Sequence, residues 1–163
     1  MLSGKMKHKF LLSDEEAVNH FSDTVYRVAF NMLKNDADTQ DVFQEVFLRF
    51  IKHSGKYESL EHAKAWIIRV TINCSHDFLR KQRHHLELNA ALEISSKDAT
   101  DRGMTHYIQG LDEKYRIVIH LFYYEQYKIS EIADILKKNE NTIKTWLARA
   151  KKILKEKWED DLN

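Results

Sequence analysis

The sequence contains no proline and only four glycines among its 163 residues. β-Sheet proteins need frequent turns, which proline, glycine and the hairpin dipeptides Asn-Gly and Asp-Gly usually supply. Neither dipeptide occurs in the chain. Hydrophobic residues make up 43% of the sequence, enough for the core of one medium domain or of two small ones. We therefore expect an all-α protein.

Cysteine is also scarce, because Cys74 is the only one in the chain. A single cysteine excludes an internal disulfide bond and a zinc cluster built from several thiolates. The nine histidines form no His-Glu-x-x-His motif, and the chain has neither a phosphate-binding loop nor a recognisable pair of nucleophile and base. We expect no metal site, no cofactor and no enzymatic activity.

Long hydrophobic runs are missing as well. No stretch approaches the roughly 20 apolar residues of a membrane-spanning helix, and the first ten residues lack the apolar core of a signal peptide. These absences predict a cytoplasmic protein that is not inserted into a membrane.

An excess of one charge is absent too, since the formal net charge is only +1. Binding to nucleic acid must therefore come from local patches. Residues 127–158 carry such a patch on two predicted helices joined by a tight turn. Ser130 is predicted to cap the first helix, with Glu131 near its positive end, and Asn139 to cap the second.

The second of these helices has one apolar and one basic face. The inward positions recur at intervals of three and four, at Ile143, Leu147, Ala150 and Ile153. The other face carries Lys144, Thr145, Ala148, Arg149, Lys151, Lys152 and Lys155. Such a stripe suits phosphates and base edges in a major groove. Periodicity alone gives equal weight to a DNA-binding helix-turn-helix and to an ordinary helical hairpin with a solvated basic face.

The N-terminal half is predicted to form three helices. Ser13 and Glu16 form a capping-box pattern at the start of the first, and Asn35 is expected to close it. The second is expected over residues 37–53 and the third from about Glu61. Inward positions are predicted at Val42, Phe43, Val46, Phe47, Phe50 and Ile51 on the second helix and at Trp66, Ile67, Val70 and Phe78 on the third.

Cations crowd the exposed side and the C-terminal end of the third helix, at Lys64, Arg69, Arg80, Lys81 and Arg83. Cations at a helix end also complement the helix dipole, which is a purely structural explanation. Tyr57, Trp66 and Phe78 are interleaved with them. Aromatic rings among cations suit unstacked bases and the backbone of a separated strand.

Apolar residues thin out between the two halves. A polar run at residues 95–101 predicts a flexible linker over residues 86–104, which would join domains at residues 13–85 and 105–158. Whether Leu86, Leu88, Leu92 and Ile94 form a short helix or pack along a partner is left open. Residues 159–161 are predicted to be a frayed acidic tail.

Two blocks of the chain resemble bacterial sigma factors of the extracytoplasmic-function (ECF) class. Residues 111–155 resemble the fourth conserved region, and residues 142–150, Thr-Ile-Lys-Thr-Trp-Leu-Ala-Arg-Ala, resemble its recognition-helix signature. Residues 40–49, Gln-Asp-Val-Phe-Gln-Glu-Val-Phe-Leu-Arg, resemble the polymerase-docking pattern of the second conserved region. Residues 65–73 with 77–80 resemble that region's promoter-melting helix.

The resemblance implies three sets of functional residues. Those for the minus-thirty-five promoter element are Thr142, Lys144, Thr145, Trp146, Arg149, Lys151 and Lys152. Those for the minus-ten element are Tyr57, Glu58, Ser59, Leu60 and Glu61 in a base-capturing loop, and Trp66, Arg69, Asn73, Asp77, Arg80 and Lys81 on the following helix. Those for the polymerase are Gln40, Asp41, Gln44 and Glu45.

The chain departs from the family pattern at several positions. Gln40 replaces a usual Glu, Asp112 a usual Pro, and Lys137 and Asn141 stand where Gly is common. Trp146 stands where Arg is common, and it could fill a hydrophobic seam or touch a thymine methyl group.

The resemblance implies an alternative sigma factor whose partners are core RNA polymerase and promoter DNA. Family members are often held by an anti-sigma factor, and the sequence leaves open whether this one is. Two alternatives are a helix-turn-helix regulator that acts without polymerase and a sigma-like interaction protein. The helix from Glu61 discriminates among them, because only a sigma factor needs an aromatic and basic surface for melted DNA.

Overall fold

The computed structural model describes residues 12–53, 57–88 and 103–163. Within these ranges all regular secondary structure is helical, which confirms the predicted fold class. The N-terminal half contains α1 (Asp14–Leu33), α2 (Asp36–Lys52) and α3 (Leu60–Leu88). The C-terminal half contains α4 (Met104–Gln109), α5 (Glu113–Ile119), a π-helical turn (His120–Tyr124), α6 (Ile129–Leu136) and α7 (Glu140–Leu162).

The predicted linker at residues 86–104 falls mostly outside the described residues, which omit 89–102. Leu86 and Leu88 belong to the end of α3, and Met104 begins α4. Leu92 and Ile94 also lie outside the described residues. The proposed division at residues 13–85, 86–104 and 105–158 therefore stays a prediction.

Local capping determines where α1 begins and where α2 follows it. The backbone N–H of Glu16 donates to Ser13 Oγ at 3.2 Å, and that of Ser13 donates to Glu16 Oε2 at 2.9 Å, so the predicted capping box is present. Asn35 does not close α1 as predicted. Lys34 ends it in a left-handed conformation with φ of 62°, and Asn35 instead caps α2 by accepting the N–H of Asp38 at 2.8 Å.

The three N-terminal helices pack around an apolar core that includes Phe21, Val46 and Ile67, each almost completely buried. The prediction that Ile51 faces this core is wrong, because its residue surface is 37% exposed. The adjacent Phe50 occupies the inward position of that turn and is buried.

A π-helical turn changes the register of the C-terminal half. The sequence predicts Asp112 as the cap of α5, and Asp112 does lie at the N-cap position, although its side chain makes no capping hydrogen bond. Helical periodicity in the sequence predicts an inward face at Tyr115, Val118, Ile119, Phe122 and Tyr123. Tyr123 is instead 51% exposed, and Leu121 is fully buried. Hydrogen bonds in a π-helix span five residues instead of four, so a side chain placed by α-helical spacing falls on another face.

Helices α6 and α7 form the predicted helix-turn-helix. Ser130 does not cap α6, because the N-cap lies two residues earlier, at Lys128, whose N–H donates to Glu131 Oε2 at 2.7 Å. Lys137 ends α6 with φ of 52°, where a non-glycine residue costs about 1 kcal/mol. Asn139 caps α7 as predicted by accepting the N–H of Thr142 at 2.7 Å.

The C-terminal end of the chain is helical, so the prediction of a frayed tail is wrong. Helix α7 continues to Leu162 and packs against α4. Tyr107 Oη donates to Asp161 Oδ2 at 2.6 Å, and Lys157 Nζ donates to the carbonyl oxygen of Gly110 at 3.3 Å. These two contacts hold the end of α7 against α4 and Gly110. Because they join residues far apart in the chain, the local sequence does not predict them.

The two halves of the protein share a hydrophobic core. Val28 and Met32 of α1 and Ile68 and Ile72 of α3 belong to the same buried cluster as the core of the C-terminal half. Helix α1 packs on α5, and α3 packs on α6. The helix-turn-helix is therefore packed directly against the candidate melting helix.

Candidate nucleic-acid interface

The outer face of α7 presents most of the side chains predicted for DNA recognition. Ile143, Leu147 and Ala150 are buried beneath it, which confirms the predicted inward positions and sets the rotation of the helix. Three predicted contact residues are exposed on the outer side at spacings of one and four, namely Lys144, Thr145 and Arg149. Such a face can offer charge and hydrogen-bond donors to base edges.

Two hydroxyl groups on this helix already bond locally. Thr142 Oγ1 donates to Asn139 Oδ1 at 2.9 Å, and Thr145 Oγ1 donates to the carbonyl oxygen of Asn141, also at 2.9 Å. Thr142 thus strengthens the cap at the N-terminus of α7. The lone pairs of both hydroxyl oxygens can still accept hydrogen bonds.

Lys151 and Lys152 have different surroundings although they are adjacent. Lys152 Nζ lies 3.8 Å from Glu156 Oε1, with both side chains well exposed. Lys151 Nζ lies over the rings of Phe122 and Tyr123, 5.8 and 5.7 Å from their centroids. Lys151 is therefore turned toward the π-helical turn, and Lys152 is the clearer candidate for a phosphate contact.

Trp146 is half-buried and packs against the larger hydrophobic cluster. The indole therefore fills a hydrophobic seam, and the contact of its exposed part with a thymine methyl group stays a prediction. Its exposed part lies between Thr145 and Arg149 in sequence, so it borders the recognition face.

One face of α3 carries a row of polar and aromatic side chains at spacings of three and four, from Trp66 through Arg69, Asn73 and Asp77 to Arg80. Asn73 is exposed, and Arg80 Nη2 donates to Asp77 Oδ1 at 2.6 Å on the surface. Lys81 is also exposed next to this row. The row provides amide, cationic and aromatic groups along one side of a single rigid helix.

The structure buries the ring expected to capture a base. Tyr57 is 5% exposed, and its ring stacks on Phe50 with centroids 4.9 Å apart. Burial raises the pKa of the Tyr57 hydroxyl far above its usual value. The Trp66 ring likewise stacks on the His53 ring, with centroids 4.5 Å apart. In this arrangement the Tyr57 ring is part of the N-terminal core. A base could stack on it only after the segment that contains Tyr57 moves away from Phe50.

The other loop residues predicted at the minus-ten site surround the start of α3. Ser59 Oγ accepts the N–H of His62 at 3.1 Å, so it caps the helix. Glu58 and Glu61 are exposed, whereas Leu60 is half-buried and packs against the N-terminal core. The start of α3 and the residues just before it therefore present carboxylates outward and an apolar side chain inward.

The predicted polymerase-docking residues Gln40, Asp41, Gln44 and Glu45 are all exposed on α2. Gln40 Nε2 donates to Asp36 Oδ2 at 2.9 Å, and Glu45 Oε1 accepts from Arg49 Nε at 2.7 Å. Both contacts are on the surface, where ion pairs contribute little to stability. This acidic edge can therefore exchange its present partners for groups on another protein.

Polar contacts between the two halves were not predicted from the sequence. Three of them involve α3: Lys64 Nζ lies 2.8 Å from Glu125 Oε2, Arg69 Nη2 donates to the carbonyl oxygen of Asp134 at 2.9 Å, and His76 pairs with Glu113. Two involve the end of α1: Lys34 Nζ donates to the carbonyl oxygen of Gln109 at 2.6 Å, and Arg116 Nε donates to that of Asn31 at 3.0 Å.

Glu125 is the most buried carboxylate of these contacts, with its side chain only 6% exposed. Burial alone would raise its pKa, but the Lys64 ammonium group and the His120 ring, whose Nε2 lies 3.5 Å from Glu125 Oε1, lower the pKa to about 2. Glu125 therefore stays ionised at neutral pH and depends on Lys64 of the other half for its countercharge.

The His76–Glu113 pair makes the stability of the packed arrangement depend on pH. The hydrogen bond that His76 donates to Glu113 raises the pKa of His76 above its ordinary 6.5, and the same bond lowers the pKa of Glu113 below 4.5. The His76 contribution is complete below pH 6.5 and is lost as pH rises through the raised pKa. The Glu113 contribution is complete above pH 4.5 and is lost as pH falls through the lowered pKa.

We expect His76→Gln to remove this pH dependence. Because the His76 side chain is 53% exposed, the pair should contribute no more than about 1 kcal/mol to the free energy of unfolding. The difference between wild type and His76→Gln in urea unfolding should be largest between pH 5 and 6.5 and shrink by pH 8.5. A difference that stays constant over this range would rule out protonation of His76 as its cause.

An apolar groove of about 590 Å³ opens between α4, the π-helical turn and α7. Its exposed hydrophobic side chains are those of Met104, Tyr123, Tyr124 and Trp158. Lys151 and Lys155 lie among its lining residues. Sequence reasoning missed this groove, because the π-helical turn directs the two tyrosines outward.

The described residues contain no group of His, Cys, Asp and Glu side chains that could hold a metal ion. Among the helices in those same ranges, none is both long and apolar enough to cross a membrane.

Comparisons with known proteins match both halves of the chain. The family model for Sigma-70 region 2 matches residues 17–85, and that for Sigma-70 region 4 matches residues 102–154. RNA polymerase sigma factor SigV of Bacillus subtilis (strain 168) is 33% identical over 135 residues, covering 80% of this chain and 81% of SigV. ECF RNA polymerase sigma factor SigW of the same strain is 25% identical over 171 residues, covering 89% of this chain and 88% of SigW.

Solved structures share the fold at lower sequence identity. Sigma factor RpoE, crystallised with the anti-sigma factor NepR from Bartonella quintana, has a TM-score of 0.73 at 17% identity and covers 87% of this chain and 94% of its own. CnrH, in complex with the cytosolic domain of CnrY, has a TM-score of 0.64 at 18% identity and covers 91% of this chain and 88% of its own.

Proposed function

Because the chain belongs to the extracytoplasmic-function class of sigma-70 family RNA polymerase sigma factors, it directs transcription initiation, and we propose that three of its surfaces divide that task. The outer face of α7 reads the minus-thirty-five element, the polar row of α3 with the loop before it holds the melted minus-ten element, and the acidic edge of α2 docks on core polymerase. The observation that carries this division is that all three sets contain exposed polar or charged side chains on rigid helices.

The assignment of α7 rests on its buried side. Ile143 and Leu147 anchor the helix in the core, so the rotation that exposes Lys144 and Arg149 is determined by packing. A recognition helix needs such rigidity because hydrogen bonds to base edges are sensitive to the position of the side chain. Thr142, Thr145 and Trp146 flank these cations, and Lys152 lies further along toward a phosphate backbone.

The assignment of α3 rests on the chemistry of its polar row. Asn73 offers both a donor and an acceptor to the edge of an unpaired base, and Arg80 and Lys81 offer charge to its backbone. Tyr57 and Trp66 would provide stacking surfaces once the loop that contains Tyr57 moves away from Phe50. Asp77 would orient Arg80 through the ion pair described above.

We expect polymerase docking to depend on the charge of α2. In run-off transcription with purified core polymerase on the gene's own upstream region, the wild-type chain should direct a defined transcript. Combined Asp41→Lys and Glu45→Lys should reduce the transcript and co-purification with core enzyme by roughly 10-fold or more, because a close charge pair across an interface contributes at least about 1.5 kcal/mol. A matched control is Glu15→Lys with Asp23→Lys, which makes the same charge change at exposed positions of α1.

Two results would contradict this proposal. Equal co-purification of the α2 variant and the α1 control would move the docking surface elsewhere. A transcript that does not depend on added chain would remove the role in initiation. Circular dichroism of both variants checks that the helices are intact.

The remaining assignments follow from the same premise. We propose that the chain carries out no catalytic step of its own, acts in the cytoplasm with polymerase, and has units at residues 13–85 and 105–158 joined through residues 86–104. An anti-sigma factor is a candidate further partner. The apolar groove between α4 and α7, with lysines among its lining residues, suits an amphipathic helix that carries carboxylates.

A further inference from the structure

Two cations of α3, Arg69 of the polar row and Lys64 near its start, are bound by groups of the C-terminal half. Lys64 Nζ pairs with Glu125 Oε2 at 2.8 Å and lies 5.7 Å from the centroid of the Tyr127 ring. Arg69 Nη2 donates to the carbonyl oxygen of Asp134 at 2.9 Å. Both cations therefore have partners within the protein and point toward the C-terminal half.

Each of these partners resembles a phosphate in its electrostatics. Glu125 is a nearly buried carboxylate, and a buried carboxylate is costly unless a countercharge accompanies it. The carbonyl oxygen of Asp134 lies in the last turn of α6, where the helix dipole is negative. Lys64 and Arg69 thus satisfy groups of the C-terminal half that would lose their partners if the halves separated.

Three further contacts hold the halves together without using those two cations. Lys34 and Arg116 bond to backbone carbonyl oxygens across the α1 boundary, and His76 pairs with Glu113. Ile68 and Ile72, on the same side of α3, are buried against the C-terminal half. The packed arrangement is therefore a defined state with apolar and polar contacts that would break together.

On the basis of the function proposed above, we propose that the packing of the C-terminal half against α3 is an autoinhibited state. We call this packing the latch. Glu125 and the C-terminal end of α6 hold Lys64 and Arg69 away from nucleic acid, and the phosphates of a single DNA strand compete for the same two cations. DNA binding by α3 is then coupled to separation of the halves. Glu125 is the central residue because its charge is the one most dependent on α3.

Glu125→Gln tests the latch, because the amide keeps the shape of the side chain and removes its charge. Spin labels at Lys52→Cys and Lys138→Cys, both exposed, report the distance between the halves in a Cys74→Ser background. Binding is measured with a fluorescein-labelled single-stranded oligodeoxynucleotide of mixed sequence. Glu125→Gln should lengthen the label distance and tighten binding by about 5- to 10-fold. Asp160→Asn, with the same charge change on exposed α7, should match wild type in both measurements.

Lys34→Asn is a second variant that leaves α3 and Glu125 unchanged. It removes the bond to Gln109, and asparagine tolerates the left-handed conformation of this position. It should change distance and affinity in the same direction, and it decides the question if Glu125→Gln does not fold. Unchanged distance and unchanged affinity in the folded variants would overturn the latch. A longer distance without tighter binding would support the latch and overturn the assignment of α3 to DNA.

Discussion

Replacing Arg149 with alanine should lower promoter affinity by about 5- to 150-fold and relax base preference at one position of the minus-thirty-five element. A bidentate contact from arginine to guanine contributes about 1–3 kcal/mol of discrimination, which corresponds to that range. Arg149 is exposed on α7 and lies four residues after Thr145, above the buried Leu147 and Ala150. Its loss should therefore leave the fold intact and affect mainly the readout of one base pair.

Lys152→Ala is the matched comparison on the same helix. Its present partner Glu156 is 3.8 Å away on the surface, so the lysine can turn to a phosphate at little cost. Removing one phosphate contact should weaken binding to all sequences alike and reduce the slope of log affinity against log salt by about 0.9.

The measurement is binding of the full chain, assembled with core polymerase, to promoter and scrambled duplexes across a salt series. If Arg149→Ala weakened both duplexes equally and lowered the salt slope as Lys152→Ala does, Arg149 would be a phosphate contact. Base specificity would then have to come from Lys144, Thr145 or the exposed part of Trp146.

Replacing Asn73 with alanine should reduce open-complex formation about 10-fold or more on duplex promoters and much less on a template with a pre-melted bubble. Extruding a base costs a few kcal/mol, and hydrogen bonds to its edge offset that cost. On duplex DNA the open complex is marginal, so the lost bonds reduce its population directly. On a bubble the base is already unpaired, and the remaining contacts keep the complex occupied.

The burial of Tyr57 determines which substitution of that residue is informative. Tyr57→Ala would remove a ring stacked in the core and cost about 3–5 kcal/mol of stability, which would confuse folding with melting. Tyr57→Phe keeps the ring and removes a buried hydroxyl that has no hydrogen-bond partner among the described residues, so the fold should be retained. Asn19→Ala, at an exposed position of α1, serves as the matched control for Asn73→Ala. Equal losses on both templates would exclude a melting role for Asn73.

Features that depend on residues close in sequence could be predicted without the structure. The capping box of Ser13 and Glu16 and the cap at Asn139 involve groups three residues apart. The buried positions Ile143, Leu147 and Ala150 follow from helical periodicity. In each case the interaction that forms the element lies within the segment that displays the pattern.

Predictions failed where two local patterns competed for one boundary. Asn35 could end α1 or begin α2, and the structure uses it for α2 because Lys34 adopts the left-handed conformation. Ser130 suited a cap, yet the Glu131 side chain bonds to Lys128 and starts α6 earlier. Tyr123 followed an α-helical pattern until the π-helical turn shifted the register.

The all-α class, most helices and the basic face of α7 were therefore predictable from local sequence, because caps and periodicity act within a single helix. The burial of Tyr57, the helical end of α7 and the packing of α3 against α6 depend on contacts between helices and could not be predicted in this way. The pair of Lys64 with Glu125 joins residues far apart in the chain. Such a contact depends on how whole helices pack, so no local pattern of charge or hydrophobicity predicts it.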